Sequence, residues 1–88
     1  MDDSYLQVRP VKPVDGSFER AFAGDRIAAW GLYEADTDGL PMWLADYPTE
    51  AAATTVAIRA GWARGLDVHF DHLDGTTSIR RADHADHA

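Results

Sequence analysis

The spacing of apolar and polar positions divides the chain into an extended start, a folded middle and a polar end. Over residues 1–16, Val8, Val11 and Val14 alternate with Pro10 and Pro13. Proline fixes its own φ and biases the residue before it toward extended geometry. This stretch is therefore predicted as an extended N-terminal arm, closed by an Asp15-Gly16 turn. Ser17 is placed to cap a short helix running to Ala23, with Phe18, Ala21 and Phe22 on one side and Gly24 ending it. Ile27 to Ala35 reads as a strand containing Trp30, Leu32 and Tyr33. Asp36-Thr37-Asp38-Gly39 is a turn, and Met42 to Tyr47 is the returning strand of a hairpin.

The clearest signals follow. Thr49 is a good N-cap, and Glu50 suits the positive end of a helix dipole. Ala51 to Arg64 is rich in the strongest helix former, and Arg64 and Gly65 are stop signals. From Leu66 to Leu73 the period becomes two: Leu66, Val68, Phe70 and His72 share one face, Asp67, His69 and Asp71 the other. Asp74-Gly75 is a hairpin turn, and Thr76 to Arg80 is the partner strand. The tail repeats Ala-Asp-His from Ala82 to Ala88, lacks apolar bulk and is expected to be disordered. The predicted fold class is α+β: a small antiparallel sheet, β-β-α-β-β, with one main helix on one face, forming a single domain over residues 17–81.

The helix pattern raises a question of cover. Ala52, Ala53, Val56, Ala60 and Ala63 form a stripe of small side chains, so the sheet must supply the bulk, from Trp30, Leu32, Leu44, Val68 and Phe70. Ile58 and Trp62 form a second apolar stripe. The polar remainder, Glu50, Thr54 and Gly61, is narrow. Either the arm covers the second stripe or a partner does. On the sheet, alternation puts Tyr33, Trp43 and Tyr47 on the face away from the helix, beside Asp67, His69 and Asp71. The arm could fold over this face too.

Charge sharpens the picture. The net charge is −7 on 88 residues. There is no Lys or Arg between Arg26 and Arg59, where Glu34, Asp36, Asp38, Asp46 and Glu50 fall, and none between Arg64 and Arg80. The resulting negative field repels phosphate and anionic lipid, which disfavours direct nucleic-acid or membrane binding and favours a basic protein partner. Acidic surfaces also serve solubility alone. No cysteine is present, which excludes disulfides and thiolate metal sites and fits the cytoplasm. No apolar run is long enough for a membrane span, and the acidic start Met1-Asp2-Asp3 is unlike a signal peptide. The expectation is a soluble, unexported protein.

Candidate chemistry is sparse. Asp67, His69 and Asp71 could hold a divalent metal or orient His69 as a base, but one strand rarely closes a coordination shell, and acidic strand residues commonly protect an edge. Ser4, Ser17 and Ser78 sit in no nucleophile elbow, and no phosphate-binding glycine loop occurs. No catalytic residue, metal or cofactor is therefore assigned. The expected partner-binding set is Glu34, Asp36, Asp38, Trp43, Asp46, Tyr47, Asp67 and Asp71, since rings supply contact area and carboxylates pair with Arg or Lys. In general outline the composition resembles small acidic proteins of mobile elements, including anti-CRISPR-like inhibitors. That resemblance implies an inhibitor imitating nucleic-acid charge on a nucleic-acid-binding protein. The alternatives are an accessory domain that dimerises or docks through Ile58 and Trp62, and a small metal- or His-dependent enzyme using Asp67, His69 and Asp71.

Overall fold

The computed structural model describes residues 4–36 and 41–82. Six strands and one helix follow in the order β1 (Tyr5–Val14), β2 (Ser17–Arg20), β3 (Ala29–Ala35), β4 (Met42–Tyr47), α1 (Glu50–Arg64), β5 (Asp67–Asp71) and β6 (Thr77–Arg80). The sheet is mixed, in the order β4-β3-β1-β5-β6, with β2 also paired to β1. The class is α+β with one helix on a sheet, but the strand order departs from the β-β-α-β-β expectation. Over its described residues, 4–16, the segment read as an arm is extended and enters the sheet as its central strand. Those residues cover neither the open sheet face nor the Ile58–Trp62 stripe.

β1 has different neighbours along one flank. Tyr5 to Val8 pair in parallel with Asp67 to Phe70, and Val11 to Val14 pair antiparallel with Arg20 to Ser17. β3 pairs with β1 along the other flank. Pro10 sits where one partner hands over to the next. Its carbonyl accepts from Ala21 N at 2.8 Å on that flank, and a strand residue's N–H points to the same side as its C=O. The donor that proline lacks thus falls in the gap between β5 and β2.

The expected helix from Ser17 to Ala23 is instead strand β2 followed by a turn. Asp15 and Gly16 both have positive φ, 49° and 81°. They form a two-residue loop between Val14 and Ser17, which are paired. Positive φ at both central residues is the type I′ geometry whose twist matches a hairpin. This local commitment outweighs two turns of marginal helix.

α1 forms as its signals require. The Thr49 side chain accepts from Ala52 N at 3.1 Å, and Gly65 takes the left-handed conformation at the far end. The buried line is Ala53, Ala57 and Gly61; it shares Ala53 with the predicted stripe but is turned by one helical ridge from the rest of it. Gly61, expected on the polar face, packs tightly inward: a Cβ there would lie 2.8 Å from Val68 Cγ2 and 2.9 Å from the Leu66 carbonyl. Leu6, Val8, Leu32, Leu66 and Val68 fill the core beneath the helix, flanked by Trp30, Tyr47, Ala60 and Phe70. Leu44, expected in the core, is 41% exposed. The register explains this. Leu32 pairs with Ala45 but Tyr33 with Trp43, so Leu44 is the extra residue of a β-bulge. The bulge also reverses alternation within β4, leaving Trp43 on the open face and turning Tyr47 toward the core.

Candidate docking face

The helix covers one side of the sheet. The other side carries Tyr5, Gln7, Arg9 and Val11 from β1, Gly31 and Tyr33 from β3, Trp43 and Asp46 from β4, and Asp67, His69 and Asp71 from β5, by register and alternation. Its two halves differ.

At the β5 end the polar groups satisfy one another. The Asp71 carboxylate is 3% exposed. It accepts from Arg9 Nε at 2.8 Å, Gln7 Nε2 at 3.0 Å and Thr77 Oγ1 at 3.0 Å, with Arg20 Nη1 at 3.9 Å. Arg20 also donates to the carbonyls of His72 and Thr76, and its guanidinium lies 4.9 Å from the Phe22 ring centre. Arg20 Nε is buried without a hydrogen-bond partner. Asp71 is thus the knot joining β1, β2, β5 and β6, and its burial withholds it from a partner. Asp67 accepts from Arg81 Nη1 at 3.3 Å and Ala82 N at 2.8 Å. His69 stacks on Tyr5 with ring centres 3.9 Å apart. Burial holds the His69 pKa below its ordinary value, against the smaller upward pull of Asp67. The three candidate metal or base residues do share a face, but the protein's own groups engage each of them. Among the described residues, no group of three His, Asp or Glu side chains is arranged to hold a metal ion.

At the β4 end the groups point outward. Phe18 and Trp43 are 56% and 59% exposed. With Tyr33, Val11, Ser17 and Asp46 they line a groove of about 370 Å³. Val11 is its floor and is buried. Tyr33 lies flat across Gly31, where a Cβ would come within 2.7 Å of its ring. Trp43 Nε1 donates to Asp46 Oδ1 at 2.9 Å. The bulge at Leu44 makes this contact possible, because it places positions 43 and 46 on the same face. Burial raises the Tyr33 pKa, with a further upward push from Asp46 and an opposing one from Arg9. Among the described residues, no Lys or Arg lies within ion-pair distance of Asp46.

The remaining expected residues are dispersed. Glu34 accepts from both terminal nitrogens of Arg64, at 2.8 and 3.1 Å, on the helix side. Asp36 is exposed just after β3 and lines a smaller groove with Ser4 and Met42. Tyr47 packs against the core. Asp38 lies outside the described residues. Among the described residues of the predicted set, Trp43 and Asp46 meet at the β4 end of the open face. Of the residues that join them, Phe18 was missed because β2 reads as a helix and Val11 because β1 reads as an arm. The Asp15-Gly16 loop was the signal that could have found them. Elsewhere, His72 Nε2 and Ser78 Oγ lie 2.7 Å apart, but Asp74 is bonded to Thr76 N and Oγ1 and does not orient the histidine.

No helix among the described residues is long and apolar enough to cross a membrane. No family model, curated protein or solved structure matches the chain.

Proposed function

We propose that this chain is a non-enzymatic protein-binding domain that applies the β4 end of its helix-free sheet face to a basic protein surface. The observation that carries this is one groove lined by Phe18, Tyr33 and Trp43, from three strands, and by Asp46, whose carboxylate accepts from the Trp43 indole. Exposed aromatic side chains beside a carboxylate are the material of interface hot spots. The net charge of −7 favours a cationic partner and speeds encounter with one. A nucleic-acid-handling protein, whose own channel is basic, fits this description, and occupying that channel would make the chain an inhibitor.

The test is capture of partners from host lysate, washed at low and high salt, with wild type, Phe18→Ala, Trp43→Ala and Asp46→Lys compared. A basic protein retained by wild type, weakened by salt and lost from all three variants is the expected result. Equal capture by wild type and variants would refute the reading. Trp62→Ala belongs in the same experiment. Trp62 is 64% exposed beside Ile58, and selective loss in that variant would instead favour an accessory domain docking through its helix.

A further inference from the structure

We infer that the groove between Phe18, Tyr33 and Trp43 is built to take an arginine side chain of the partner, its guanidinium against the rings and paired with Asp46. This rests on the docking reading above and names the chemistry of the contact.

The argument comes from how this same face treats the chain's own arginines. The Arg9 guanidinium lies 5.8 Å from the Tyr33 ring centre and is ion-paired to Asp71. The Arg20 guanidinium lies 4.9 Å from the Phe22 ring centre, with Asp71 at 3.9 Å. Twice, then, an arginine is held between an aromatic ring and a carboxylate. Both times the carboxylate is Asp71; the groove sets a second carboxylate, Asp46, beside the further rings of Trp43 and Phe18, and among the described residues no basic side chain pairs with it.

Geometry favours arginine over lysine. The groove is lined from β2, β1, β3 and β4: the backbones bearing Phe18 and Tyr33 stand about two strand spacings apart, roughly 9–10 Å, and Asp46 lies one strand further, on β4. That width admits one side chain lying over Val11 between Phe18 and the Tyr33–Trp43 pair. Guanidinium is planar, stacks on aromatic faces and sheds water more readily than ammonium. Asp46 Oδ1 already accepts from Trp43 Nε1, which fixes the carboxylate while leaving Oδ2 for a guanidinium N–H.

The experiment titrates the whole chain with Nα-acetyl-arginine methylamide and with its lysine and citrulline counterparts, reading the Trp43 indole N–H by NMR. Citrulline keeps the shape and removes the charge. The expected result is a saturable shift at Trp43 with arginine, at least about fivefold weaker with either analogue, and weakened about fivefold in Asp46→Asn and in Phe18→Ala. Both variants alter exposed side chains, and an unchanged amide spectrum elsewhere certifies their fold. A Trp43 signal that does not move with arginine, or moves equally with citrulline, overturns the inference. If lysate capture succeeds and depends on Trp43 while the arginine probe fails, docking stands and the arginine assignment falls. If the probe binds and capture fails, the assignment stands and the docking reading falls.

Discussion

A carboxylate on an open strand face and a carboxylate under three hydrogen-bond donors are different objects. Asp71 and Asp46 show the contrast on one face of one sheet. Asp71 is almost fully enclosed, and Arg9, Gln7, Thr77 and Arg20 gather on it. Its removal leaves two arginines without their counter-charge, and each is partly shielded from water. Asp71→Ala should therefore cost about 2–4 kcal/mol of folding stability, below the full penalty for a buried pair because solvent reaches both guanidinium groups. Urea unfolding measures it, and a loss under 1 kcal/mol would show that the knot is not holding the strands together. Asp46, with a tryptophan N–H as its partner, should tolerate substitution with little change in stability. The sequence offered no means of telling these residues apart. Both are aspartates in strands of alternating pattern, and only the register, which brings Arg9 and Gln7 beside β5, decides which is enclosed.

Elements were legible where the deciding signal was local. Thr49, the alanine run and Gly65 define α1 without help from the rest of the chain. The β3–β4 and β5–β6 hairpins follow from alternation and turn residues. What stayed hidden depends on partners far away in sequence. β1 looks like an arm because two prolines are poor ladder residues, and only the hand-over from β5 to β2 makes room for Pro10. The bulge at Leu44 has no sequence signature, yet it sends Trp43 and Tyr47 to opposite faces. The helix stripe was misread by one ridge because an alanine-rich helix gives little contrast between its sides. Gly61 makes this measurable. On propensity alone Gly61→Ala should stabilise by about 1 kcal/mol. A Cβ there meets both Val68 and the rigid Leu66 carbonyl, so the substitution should instead lower stability by about 1–2 kcal/mol net. A melting temperature raised by the alanine would place Gly61 on the polar face after all.

At the scale of the molecule, titration links the open face to stability. His69 has its pKa lowered from an ordinary 6.5, first by burial. Its charged form is disfavoured in the fold, so the unfolded chain binds the proton more readily. Stability attributable to His69 is then present above pH 6.5 and lost as pH falls through the folded-state value. Tyr33, raised above an ordinary 10.0 chiefly by burial, acts at the other extreme: its contribution is present below pH 10 and fades as the solution becomes more alkaline. The stability profile of His69→Phe should be flatter than that of wild type just below pH 6.5 and should leave the alkaline limb in place. Identical slopes for the two proteins in the acid window would remove His69 as the cause.

The placement of β1 at the centre of the sheet also governs how a ribosome can deliver this fold. Once β1 has emerged, β2 and then β3 follow soon afterwards. Its parallel partner is β5, so Gln7 must wait for His69. Contacts between segments far apart in sequence are slow to form and close late. Until α1 and β5 are out, Leu6 and Val8 remain uncovered on a half-built sheet whose flank has unpaired backbone donors and acceptors. Such an intermediate is open to strand pairing with other chains. During synthesis, pairing with other chains therefore competes with the native partner until β5 arrives.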